Sequence, residues 1–139
     1  MTIIFDLNGT LFDPAAKGLV PGALEVLSML KPKAALHLVS RLEPGRSERL
    51  RDLGIEDYFE SAHFVEDKEE SIRTLIGSST EEVYVVGDYL HQEILYGNRY
   101  GAKTVWLKRG HLAHMVPESS EGEPWRTISE LPELLEIVP

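Results

Sequence analysis

The chain has 139 residues, a formal net charge of −9, 42% hydrophobic and 27% charged residues, and no cysteine. That length is enough for one self-stabilised core, so a single domain over residues 1–139 is expected, while disulfides and thiolate metal sites are excluded. The acidic balance argues against a general polynucleotide binder, which would carry a basic face, so nucleic acid is not an expected partner.

The first residues run straight into an apolar stretch. No basic leader or long apolar segment accompanies it, which predicts a cytoplasmic protein with no membrane partner. In chain order, short apolar runs predict strands at Thr2–Leu7, Ala34–Ser40, Ser61–Val65, Glu82–Gly87 and Lys103–Leu107. Between them, helical patterns occupy about Pro21–Lys31, Pro44–Leu53, Lys68–Ile76 and Leu90–Tyr100. Ala23, Val26, Leu27 and Leu30 fall on one helical face. Gly54, Gly77 and Gly101 each follow a helical stretch that a residue of positive φ can close, and Pro21 suits a first helical turn. The polar segment His111–Pro124 reads as a loop. Thr127 and Ile128 could add a short last strand, and Leu131–Val138 a last helix.

Strands that are apolar throughout, alternating with helices, point to an α/β fold. The expected architecture is a three-layer α/β/α, Rossmann-like domain around a central parallel sheet of about five strands. Right-handed crossovers then bring the C-terminal strand ends to one edge, where a ligand site forms. Asp6, Ser40, Lys68 and Asp88 sit at or just past four such ends. Taken singly, each has an ordinary reading: a turn aspartate, a capping hydroxyl, a surface lysine, a helix N-cap. Taken together they supply a nucleophile, a hydroxyl donor, a fixed cation and a metal-binding carboxylate, which is what phosphoryl transfer requires.

Four stretches carry a family resemblance. Phe5-Asp6-Leu7-Asn8-Gly9-Thr10-Leu11 resembles the first motif of the haloacid-dehalogenase-like (HAD) hydrolases. Leu36-His37-Leu38-Val39-Ser40 resembles the second, and Lys68 at a helix start the third. Val85-Val86-Gly87-Asp88, followed by Glu93 and Ile94, resembles the fourth. The resemblance implies that Asp6 is a nucleophile forming an aspartyl-phosphate. It implies a Mg²⁺ cofactor held by Asp6, the main-chain carbonyl of Asn8, Asp88 and Glu93. Ser40 and Lys68 would hold phosphate, with main-chain amides including those of Gly9 and Thr10. Arg41, next to Ser40, is a further candidate for a phosphate or an acidic substrate. His91 is a candidate substrate contact, and His111 and His114 read as solvent-facing.

The departure from the family pattern is Asn8, where phosphatases carry an aspartate that shuttles protons. General acid–base help is worth roughly 10²–10⁴ in rate, so weakened hydrolysis is expected. A slow or specialised enzyme, a phosphate-binding or regulatory protein without turnover, and an engineered Asp→Asn replacement all remain open, with a metal-independent dehalogenase as a further alternative. Neither Phe12–Lys33 nor Ser40–Lys68 has room for a cap domain. The site should therefore be open, covered in part by Asp13–Val20, His111–Pro124 or a neighbouring copy in a homo-oligomer. The expected partner is a phosphorylated small molecule or a phosphorylated macromolecule.

Overall fold

The computed structural model describes residues 1–139. Its centre is β1 (Thr2–Phe5), buried along its whole length. β4 (Ala35–Arg41) pairs with it on one side and β6 (Val83–Gly87) on the other, both parallel. Beyond them lie β5 (Ser61–Val65) on one side, and β7 (Lys103–Leu107) and β8 (Arg126–Ile128) on the other. The resulting six-stranded sheet has the order β5-β4-β1-β6-β7-β8. The sixth strand is the weak pattern at Thr127 and Ile128, too short to stand out in the sequence.

Alternation along the strands sets the layers. Ile3, Phe5, Leu36, Leu38, Tyr84 and Val86 share one cluster with Val26, Leu27 and Leu30 of α1 (Ala23–Leu30). Leu50 of α2 (Arg46–Asp52) and Leu134 of α5 (Leu134–Ile137) join it. Ile4, Val39, Val83 and Val85 face the other way, onto Ile72 of α3 (Lys68–Ser78) and Tyr96 of α4 (Leu95–Arg99). Each such side chain contributes about 1.5–3 kcal/mol on full burial. Helices therefore cover both faces of a parallel sheet, the three-layer arrangement expected.

Several boundaries differ for local reasons. β1 ends at Phe5 because the chain turns at once, with Thr10, Leu11 and Phe12 all donating backbone N–H to the Leu7 carbonyl. Inside the segment read as the loop Asp13–Val20, β2 (Phe12–Asp13) and β3 (Gly18–Leu19) form a small antiparallel ribbon. The first helix begins at Ala23, after a left-handed Gly22, so Pro21 precedes it. Gly77 does not close α3, which runs on to Ser78, whereas Gly54 and Gly101 do take positive φ after their helices. The stretch Leu90–Tyr100 opens with a π-helical turn, Leu90–Ile94, before α4. His111–Pro124 holds two short 3₁₀ turns. The C-terminal segment is a 3₁₀ turn, Leu131–Glu133, followed by α5.

After β5 the chain crosses from one side of β1 to β6 on the other. The C-terminal edge around β1 is thus the topological switch point, where a crevice opens. No helix is long and apolar enough to cross a membrane. In urea denaturation, Leu38→Ala, which empties a fully buried site, is expected to lose about 2–5 kcal/mol. Met29→Ala, at a residue 56% exposed, is expected to change stability by about 0.5 kcal/mol or less.

Candidate active site

Phe5 and Val86 are paired across β1 and β6, so Asp6 and Asp88 leave the sheet side by side. Lys68 opens α3 just beyond β5, after Asp67 caps the helix by accepting from the Glu70 backbone N–H. Its Nζ lies 2.9 Å from Asp6 Oδ1 and 2.6 Å from Glu93 Oε1. Glu93 also accepts from the backbone N–H of Tyr89 at 2.9 Å. All four ionisable side chains are buried, with exposures of 8% for Asp6, 7% for Lys68, 5% for Asp88 and 2% for Glu93.

The backbone makes room for the two downstream acids. A Cβ on Gly9, at φ +82°, would fall 1.9 Å from Asp88 Oδ2. A Cβ on Gly87 would fall 2.2 Å from Glu93 Cγ. A side chain at either position would displace a carboxylate. The π-helical turn that carries Glu93 is the kind of local unwinding that recurs at functional sites.

The charges do not balance. Burial pushes the Asp88 carboxyl up to about 8, and the nearby Asp6 and Glu93 push in the same direction. Burial likewise raises Glu93 to about 7, against the opposing pull of Lys68. Burial works against the Lys68 ammonium, but Asp6 and then Glu93 more than offset it and keep the lysine charged well above neutral pH. One ammonium serves three carboxylates. Oxygen atoms of Asp6, Asp88 and Glu93 lie within 4.8 Å of one another, a hard, all-oxygen donor set whose excess negative charge fits a divalent cation such as magnesium.

The remaining candidates divide. Ser40 is fully buried beside this cluster's sheet edge, and its Oγ has no hydrogen-bond partner in the protein. Such an orphan ordinarily costs about 1–3 kcal/mol. The Thr10 hydroxyl donates to Asp6 Oδ2 at 3.5 Å. The amides expected to form a phosphate cradle are used within the turn. Gly9 donates its N–H to the Phe12 carbonyl at 2.7 Å and Thr10 to the Leu7 carbonyl at 3.2 Å. Gly9 still lines the cavity, through its backbone.

That cavity, about 700 Å³, opens from the cluster and includes Asp6, Asn8, Arg41, Lys68, Asp88 and Glu93 in its wall. His111 lines it too, whereas His91 turns away to the Val116 carbonyl at 3.3 Å and Glu118 at 3.6 Å. Three arginine contacts had no counterpart in the sequence reading. Arg46 and Arg109 line the cavity, and Arg49 donates to Asn8 Oδ1 at 3.5 Å while stacked 4.2 Å over the Phe12 ring. Arg109 follows the end of β7 by two residues, so the strand-end rule that selected Asp6 and Asp88 reaches it. Arg46 and Arg49 lie on a helix, where that rule does not apply.

Comparison with known proteins places this geometry. A model of HAD-hydrolase-like proteins matches residues 61–134. The chain is 30% identical over 132 residues to a glyceraldehyde 3-phosphate phosphatase of Pyrococcus furiosus, covering 86% of this chain but 54% of that protein. The magnesium-bound HAD-hydrolase YfnB of Bacillus subtilis superposes with a TM-score of 0.70 at 26% identity, over 86% of this chain and 55% of the other. The chain thus spans about half the length of these two relatives. A haloacid dehalogenase-like hydrolase of Burkholderia xenovorans has the same fold, with a TM-score of 0.82 at 16% identity, over 98% of this chain and 95% of the other. With its motifs in order on a Rossmann-like sheet and no cap inserted between them, the chain belongs to the HAD-like hydrolase family.

Proposed function

We propose that the protein is a magnesium-dependent phosphatase that works through an aspartyl-phosphate on Asp6. The observation that carries this reading is a buried Asp6 carboxylate, fixed 2.9 Å from the Lys68 ammonium at the floor of an open cavity. The phosphatase named among its relatives supports the substrate class.

Asp6, Asp88 and Glu93, with the Asn8 main-chain carbonyl, would hold Mg²⁺. When bound, the ion supplies charge neutralisation for the phosphate oxygens. The chain's own groups then divide the work. Lys68 fixes one Asp6 oxygen, and the other, approached by the Thr10 hydroxyl at 3.5 Å, would attack phosphorus. The new O–P bond forms as the bond to the leaving oxygen breaks. Ser40, a buried hydroxyl with no internal partner, would donate to a phosphate oxygen. Water then attacks the phosphorus of the aspartyl-phosphate, regenerating the Asp6 carboxylate and releasing phosphate.

Proton transfer is the weak step. The Asn8 amide cannot protonate the leaving oxygen, and its oxygen accepts from Arg49. Substrates whose leaving group departs without protonation should therefore be turned over best. The second reading, a phosphate-binding protein without turnover, draws on this same Asn8 and predicts binding without release.

With p-nitrophenyl phosphate and Mg²⁺, slow release is expected, abolished in Asp6→Asn. Asn8→Asp should raise kcat on poor leaving groups by about 10²–10⁴. The gain should be concentrated at acidic pH, because Arg49 favours the ionised form of the new carboxyl. Inertness of both the parent chain and Asn8→Asp would favour the binding reading.

A second expectation follows from the crowded acids. With folded values of about 8 for Asp88 and about 7 for Glu93, against ordinary values of 3.8 and 4.5, the cation-free folded protein holds protons that the unfolded chain has released. This contribution is complete only below the ordinary values and is lost as pH rises through the folded ones. His37, whose pKa burial holds below 6.5, acts in the opposite direction. In EDTA, Tm should therefore fall more between pH 5 and 8 in the parent than in Asp88→Asn. Mg²⁺ should raise the parent Tm more at pH 8 than at pH 5. A Mg²⁺ effect equal at both pH values would contradict this account of the cluster.

A further inference from the structure

We infer that the substrate carries a second anionic group besides the phosphate to be released, a carboxylate or a second phosphate, bound by Arg41, Arg46 and Arg109 on the cavity wall. The inference rests on the phosphatase reading and names its substrate class.

The three arginines come from distant parts of the chain. Arg41 ends β4, Arg46 begins α2, and Arg109 follows β7. All three line the cavity that contains Asp6 and Lys68. The chain as a whole is strongly acidic, at −9, so three arginines lining one cavity run against its general charge. The acids of that wall are grouped among themselves or already paired. Asp6, Asp88 and Glu93 form the buried cluster around Lys68. Asp13 pairs with Arg109 at 3.6 Å.

Each arginine keeps donors to spare. Arg46 is held by Glu43 at 3.1 Å and by the Arg41 carbonyl at 3.1 Å, leaving other N–H groups of its planar fork free. Arg109 uses one nitrogen on Asp13. Arg41 is exposed, and its side chain takes part in none of the chain's ion pairs. Guanidinium forks match carboxylate and phosphate oxygens two at a time, which a lysine ammonium does not. One arginine would read as a solvated surface group. Three on the wall of the cavity that holds Asp6 and Lys68 supply the donors for a second oxyanion site beside the first.

The test is a matched comparison of kcat/KM with Mg²⁺. Glycerol 3-phosphate is paired with 3-phosphoglycerate, and fructose 6-phosphate with fructose 1,6-bisphosphate. The anionic member of at least one pair should be preferred by roughly 10–100-fold, the effect of hydrogen bonds to a charged group. A preference in the first pair identifies a carboxylate, and in the second a phosphate. In Arg41→Ala/Arg109→Ala the preference should collapse to within about threefold, with partial return in Arg41→Lys/Arg109→Lys. Hydrolysis of both members at equal rates, or a preference that the alanine variant retains, would overturn the arginine site while leaving the phosphatase standing. If no phosphate ester is hydrolysed, the phosphatase reading fails. Calorimetric titration of Asp6→Asn with the same pairs then decides the arginine site: tighter binding of the anionic members upholds it, and equal binding overturns it.

Discussion

Three buried carboxyl groups crowd around one ammonium that pairs with only two of them, Asp6 and Glu93, and the fold around the sheet edge is arranged to sustain that imbalance. Asp6, Asp88 and Glu93 reach the same point from the ends of two neighbouring strands and from the π-helical turn after the second. Desolvation alone would neutralise or expel them. Lys68 answers part of the charge from the start of α3, and protons answer the rest in the absence of a cation. Two positions without a Cβ, Gly9 and Gly87, keep the acids from being pushed apart. An exchange of these protons for a divalent ion is what the proposed magnesium dependence would require.

The order of the strands puts this cluster where a ligand can reach it. Because no cap is inserted, the cavity is covered only by local structure. The β2–β3 ribbon and the segment after β7 both contribute to the cavity wall, and Asp13 and Arg109 join them by an ion pair. The pair is partly exposed, so it is weak and free to open. The same wall carries Arg41, Arg46 and Arg109 as well as the buried acids. Asn8 lines this cavity too, and its side-chain oxygen accepts from Arg49. That contact links position 8 to α2.

Most of the sheet was legible in the sequence because its strands are apolar throughout and punctuated by glycine and charge. Asp6, Lys68 and Asp88 were legible because strand-end position and motif order agree, and Glu93 through the fourth motif alone. What escaped was local. The β2–β3 ribbon has only two residues in each strand, too few for an alternation to register. The π-helical turn at Leu90–Ile94 has the same apolar spacing as an ordinary helix start. The use of the Gly9 and Thr10 amides inside the first turn depends on how the chain folds back on Leu7 and Phe12, which residue types do not reveal. Arg46 and Arg49 could not be assigned to the cavity or to Asn8 because the facing of α2 depends on tertiary packing through Leu50.

The central claim, that Asp6 is a nucleophile fixed by Lys68, is tested most directly by trapping the covalent intermediate. The protein is mixed with ³²P-labelled phosphate ester and Mg²⁺, quenched in acid, and digested for peptide mapping. Slow water attack in the presence of Asn8 should let the intermediate accumulate, giving an acid-stable, hydroxylamine-labile label on the peptide containing Asp6. Phosphate release without any label on that peptide, at a rate unaffected by Asp6→Asn, would contradict the account.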